Sequence, residues 1–140
     1  MNYTKSLVSA LLGASVLLSS SVMAENHLVT TVGPSFKPMV IKIAPGDTVS
    51  WDNMLTHIVA TMPEYLPAGA EGWESAMGES FTTPPLTVEG AYFYKCTPHW
   101  GMGMGGVIIV GNPTNLDDVK ATKPKGAAKR LYKKAMKAMK

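Results

Sequence analysis

Residues 91–110 read AYFYKCTPHWGMGMGGVIIV, from Ala91 to Val110. The opening Ala91-Tyr92-Phe93-Tyr94 is aromatic and the closing Gly106 to Val110 is β-branched, so both ends read as strands. Between them, Cys96-Thr97-Pro98-His99-Trp100-Gly101-Met102-Gly103-Met104 is punctuated by Pro and Gly and reads as a short connecting loop. Upstream, further short segments fit the same reading: Leu28 to Val32, Val40 to Ala44, Thr48 to Trp51, His57 to Thr61 and Leu86 to Val88. Pro45-Gly46-Asp47 marks a turn between the second and third strands. The stretch from Met62 to Glu79, with Pro63, Pro67, Gly69, Gly72 and Gly78, is a long connection with room for one helical turn. Seven short strands with regular turn signals predict two packed sheets.

The ends of the chain differ from this body. Met1 to Lys5 is a short, positively charged start, Leu7 to Leu18 is mostly apolar and too short to span a bilayer, and Val22-Met23-Ala24 fits a signal-peptidase site. The expectation is a signal peptide over residues 1–24 and a single exported domain over 25–140. At the other end, Thr114 or Asn115 can cap a helix whose first turn carries Asp117 and Asp118. After Pro124, Ala128, Leu131, Tyr132, Ala135, Ala138 and Met139 recur at helical spacing, with lysines largely on the opposite face. This predicts a second helix packed on the sheets, its lysines a solvated face rather than a nucleic-acid or membrane-inserting element.

Composition narrows the chemistry. The 140 residues are 46% hydrophobic and 16% charged, which excludes a mainly disordered chain. One cysteine excludes an intrachain disulfide framework, and ten methionines exceed what gap-filling ordinarily uses. The formal charge of +3 conceals a division. Residues 25–118 carry three lysines against ten acidic groups, a net −7, whereas residues 119–140 carry nine basic groups and no acid.

The loop after Tyr94 gathers three metal donors: the thiolate of Cys96, the imidazole of His99 and the thioether of Met104. His57, at the start of another predicted strand, is the histidine that a neighbouring strand could bring beside them. Thiolate, two imidazoles and a thioether form the donor set of a blue-copper electron-transfer centre. Zinc gains little from a thioether, and a catalytic zinc site keeps one position open. A copper-delivery protein would use the same donors without fast redox cycling. An enzyme with Cys96 as nucleophile and His99 or His57 as base is disfavoured, because Cys96 and His99 share one tight loop without an oxyanion-hole signature.

These residues resemble the cupredoxin family and, within it, the pseudoazurin branch. The likeness rests on Pro45-Gly46-Asp47-Thr48-Val49, His57, the connection from Met62-Pro63 to Gly69-Ala70-Glu71, Gly90-Ala91-Tyr92, Lys95-Cys96-Thr97-Pro98-His99 and Met102-Gly103-Met104. It continues through Asn115-Leu116-Asp117 and Lys123-Pro124-Lys125. It implies a mainly β, Greek-key β-sandwich of eight strands with two C-terminal α-helices. It further implies one copper ion, Cu(I) or Cu(II), held by His57, Cys96, His99 and Met104. The resemblance favours Met104 over Met102 as the axial donor and places Met102 in an apolar docking patch. By the same resemblance the protein is a periplasmic, monomeric electron carrier whose partners are nitrite reductase and c-type cytochromes, docking near His99 and Met102.

Two departures from the family pattern stand out. Thr56-His57-Ile58 replaces the usual Gly-His-Asn, removing a side-chain tie between ligand loops, although the Ile58 N–H remains available to the Cys96 sulfur. The lysines that usually ring the docking patch are reduced to Lys95. If the terminal helix lies away from the copper end, that surface is mainly apolar, built from Pro98, Gly101 and Met102.

Overall fold

The computed structural model describes residues 23–140, so the proposed signal peptide lies outside the described residues except for its last two positions. Eight strands form two four-stranded sheets. They are β1 (Asn26–Thr31), β2 (Phe36–Lys37), β3 (Val40–Ile43), β4 (Thr48–Asp52), β5 (Ala60–Thr61), β6 (Phe81–Thr82), β7 (Gly90–Lys95) and β8 (Gly105–Val110). One sheet runs β2-β1-β4-β6 and the other β3-β8-β7-β5. Both are mixed, with β1 parallel to β4 and β3 parallel to β8. Helices α1 (Leu116–Ala121) and α2 (Gly126–Ala138) follow.

Strands β7 and β8 are antiparallel over their whole length, with Gly90 opposite Val110 and Lys95 opposite Gly105. Both are buried on two sides, because side chains alternate across a sheet. Tyr92, Tyr94, Ile108 and Val110 face the core between the sheets, with Phe36, Val49 and Trp51. Ala91, Phe93, Val107 and Ile109 face a second cluster made with Leu116, Val119, Ala128, Leu131 and Ala135 of the helices. Two-sided burial explains why Val107 to Val110 is a continuous apolar run rather than an alternating one. Gly106 is required by close approach, since a Cβ there would meet the Tyr94 hydroxyl oxygen at 2.3 Å.

The structure changes the seven strands read from the residues to the eight that the resemblance implies, removing one expected strand and shortening another. Strand β2 is an addition, only two residues long. Leu86 to Val88 is not a strand: Pro84 and Pro85 precede it without N–H donors, and Leu86 instead bonds to Gly46 and Asp47. The strand of that region is β6, paired to Ser50 and Trp51 of β4. His57 lies outside β5, because its carbonyl accepts from Gly78 N–H and the Val59 N–H goes to Ser75 Oγ, leaving only Ala60 and Thr61 to pair. The long connection contains the expected single turn, a 3-10 turn at Pro63–Tyr65.

Asn115 stands at the N-terminus of α1 but does not cap it. Its side chain is buried and accepts from Ala91 N–H at 2.7 Å while donating to the carbonyls of Ala91 and Tyr65, both at 2.9 Å. It therefore ties the helices to β7 and to the 3-10 turn.

At the opposite edge, Asp47 accepts from Glu25 N–H at 2.9 Å and Ala44 N–H at 3.0 Å, and meets His27 Nε2 at 2.8 Å. His27 is thus engaged in fastening β1. The Glu25 N–H, followed by His27, holds the Asp47 carboxyl below its ordinary value of 3.8. A depressed folded value means that this stabilisation is present above pH 3.8 and is lost as pH falls through the folded value. Asp47→Asn is expected to melt at a lower temperature than the parent at neutral pH, with the two melting curves converging under acid. A gap that stays constant from pH 7 to pH 3 would contradict that assignment.

Candidate metal centre

The site is built at one end of the β7–β8 hairpin. Cys96 follows the last residue of β7, and Met104 precedes the first of β8, so the register sets them opposite each other. The Cys96 N–H donates to the Met104 carbonyl at 3.0 Å. Between them Thr97–Met102 form a 3-10 turn started by Pro98, whose fixed φ suits the first turn of a helix. Gly103 ends it in the left-handed conformation, φ 78° and ψ 25°, where a side chain would be strained. The Met104 N–H then donates to the His99 carbonyl at 3.2 Å.

His57 arrives from the segment that precedes β5. Ala60 of β5 pairs with Lys95 of β7, which brings the segment before β5 alongside the Cys96 end of β7. The His57 N–H and carbonyl are both occupied, by the Met54 carbonyl and the Gly78 N–H.

Cys96 Sγ lies 3.7 Å from His57 Nδ1 and 3.4 Å from His99 Nδ1, and the two Nδ1 atoms are 3.0 Å apart. Donor atoms so spaced can all touch one ion at ordinary ligand distances of about 2.0–2.3 Å. Cys96 is fully buried, and both histidines are half-buried. Burial, followed by the facing His99, lowers the His57 pKa and favours the neutral ring that a metal requires. Met104 is buried in the same core cluster as Cys96, whereas Met102 is 62% exposed. Burial thus distinguishes Met104, which the resemblance favours as the axial donor, from Met102. The side-chain contacts of Cys96 Sγ among the described residues include the two imidazoles.

A soft thiolate and two imidazoles together, with the buried Met104 in the core cluster that holds Cys96, suit copper in either oxidation state. Residues 25–111 match the family of copper-binding proteins described as plastocyanin/azurin. A pseudoazurin of Paracoccus pantotrophus is 41% identical over 99 residues, covering 69% of this chain and 68% of the relative. The chain belongs to the pseudoazurin group of this family. A putative pseudoazurin of Rhizobium leguminosarum bv. viciae is 38% identical over 127 residues, covering 84% of this chain and 83% of that one. Among solved structures, a pseudoazurin from Sinorhizobium aligns at 38% identity with a TM-score of 0.70, over 77% of this chain and 94% of that chain. The pseudoazurin of Methylobacterium extorquens AM1 aligns with a TM-score of 0.73 over 82% of this chain and 99% of that one, and at 24% identity it supports the fold. As a member of this group the protein is a copper-binding electron carrier and not an enzyme.

Helix α2 does not lie away from the copper end. Its first turns, with Lys125 and Arg130, border Trp100, Gly101, Met102 and Gly103 around an open groove of about 570 Å³. A neighbouring groove of about 500 Å³ is lined by Lys120, Lys123, Lys125, Lys129 and Lys133. Lys95 adds a charge on another side, its Nζ 6.0 Å from the Trp100 ring centre. The face beside His99 is therefore apolar at its centre and basic along its α2 side.

Proposed function

We propose that His57, Cys96, His99 and Met104 hold a single copper ion and that the protein is a periplasmic, monomeric shuttle carrying one electron at a time between c-type cytochromes and nitrite reductase. The observation that carries this reading is the convergence of Cys96 Sγ, His57 Nδ1 and His99 Nδ1 within 3.0–3.7 Å on a buried floor. Bound copper supplies a one-electron couple there. The chain supplies stiffness, since three donors come from the hairpin end of two strands buried on both sides, and a rigid donor set needs little rearrangement when the charge changes.

The route in and out runs through the half-buried histidines. Around them the chain exposes large apolar side chains, Leu55 at 78%, Met77 at 56% and Met102 at 62%. An exposed apolar cluster rimmed by charge is the pattern of a docking surface. A loose, mainly apolar contact favours rapid release of the partner, as turnover requires.

The test is the absorption and EPR spectrum of the copper-loaded protein. An intense visible charge-transfer band bleached by ascorbate and restored by oxidant supports the shuttle. A colourless protein that holds only Cu(I) would assign it to copper delivery. Transfer to a nitrite reductase with an acidic docking face is expected to slow as salt rises from 10 to 200 mM, through screening of the α2 charges. Lys125→Glu with Lys129→Glu is expected to flatten that dependence. A salt-independent rate in the parent would leave docking to the apolar patch alone.

A further inference from the structure

The peptide unit joining Gly103 to Met104 is held at both ends. Its N–H, that of Met104, donates to the His99 carbonyl at 3.2 Å. Its carbonyl, that of Gly103, accepts from Arg130 Nη2 on the second turn of α2. The approach is close on a wider front, since a Cβ at Gly103 would meet Arg130 Nη2 at 3.0 Å and Ala127 Cβ at 3.4 Å. The base of the arginine is itself fixed, because the adjacent Leu131 is fully buried against β7 and β8. A hydrogen bond from a guanidinium to a carbonyl is of the stronger, charge-assisted kind.

A peptide plane restrained at both ends fixes the direction in which the next Cα presents its side chain, and here that side chain is Met104. We infer that Arg130 is a positioning residue of the copper centre, fixing the backbone from which Met104 would present its thioether to a bound copper and so biasing the balance of Cu(I) and Cu(II). This rests on Met104 being the axial donor. Arg130 is exposed, so water screens its charge, and its influence passes mainly through the bond rather than through the field. Outer groups that orient ligands tune metal sites in this way.

The experiment compares Arg130→Met, Arg130→Lys and Lys134→Met, the last removing an exposed charge one turn further along α2. Amide exchange of the Met104 N–H is followed in the copper-free protein, and EPR and reduction potential are recorded with copper bound. Arg130→Met is expected to raise Met104 exchange about tenfold and to change the Cu(I)/Cu(II) ratio at fixed potential about threefold to tenfold, up to ~59 mV for one electron. Arg130→Lys is expected to recover part of both, and Lys134→Met to resemble the parent. The inference is overturned if Arg130→Met leaves the potential unchanged, or if Lys134→Met shifts it equally. Met104→Gln separates this from failure of the underlying assignment: a parent-like spectrum in that variant would remove Met104 as donor whatever Arg130 does.

Discussion

Cys96→Ser is expected to give a protein without visible colour under any loading with Cu(II). The intense band of a copper–thiolate centre is charge transfer from sulfur to metal, and a neutral hydroxyl cannot supply it. The same substitution removes the one soft anionic donor of the site, so the remaining imidazoles hold Cu(II) in an ordinary, weakly absorbing geometry or lose it to a chelator. The fold is expected to survive. Serine is smaller than cysteine, and a hydroxyl at this fully buried position costs about 1–3 kcal/mol, since the nearby His57 and His99 nitrogens offer it partners. Circular dichroism of the variant should therefore match the parent while absorption is lost. Retention of an intense visible band by Cys96→Ser would remove Cys96 from the centre.

The second large effect distinguishes the two methionines. Met104→Gln exchanges a buried thioether for an amide oxygen, a harder donor that favours Cu(II) over Cu(I). The reduction potential is expected to fall by more than the ~59 mV that corresponds to a tenfold change in the one-electron equilibrium, and the EPR pattern is expected to change with it. Met102→Gln replaces a side chain that is 62% exposed and should leave spectrum and potential near those of the parent. Its effect belongs to docking, as slower transfer to a partner at unchanged potential. The opposite ranking of the two variants in spectroscopy would assign the axial position to Met102.

Much of the site was legible because its chemistry is local. Cys96, His99 and Met104 lie on nine consecutive residues between two segments with strong strand character, and β7 and β8 appear within one residue of their expected starts. His57 could be paired with them because few histidines were available. What escaped had no local signal. Strands β2 and β6 are two residues each, too short for alternation to register. The expected strand at Leu86 to Val88 had the right residue types, but the prolines before it decided the outcome. The bonds of Asn115 to Ala91 and of Arg130 to Gly103 span 24 and 27 residues, and nothing near either partner announces the other. The position of α2 beside the ligand loop was likewise invisible, although its apolar stripe was plain, because a stripe states that a helix packs and not which end of it reaches the site.

The two-sided burial of β7 and β8 bears finally on how metal leaves. Strands covered on both faces are the last to open in spontaneous local unfolding. The loop is anchored in them at Cys96 and Met104, so its ends cannot fray apart without exposing the core. A copper ion held by these residues would then be expected to be released from the side of the half-buried imidazoles rather than from the anchored ends at Cys96 and Met104. Copper should accordingly leave slowly and one bond at a time, at a rate set by the exposed rim and insensitive to mild denaturant until the whole sandwich gives way.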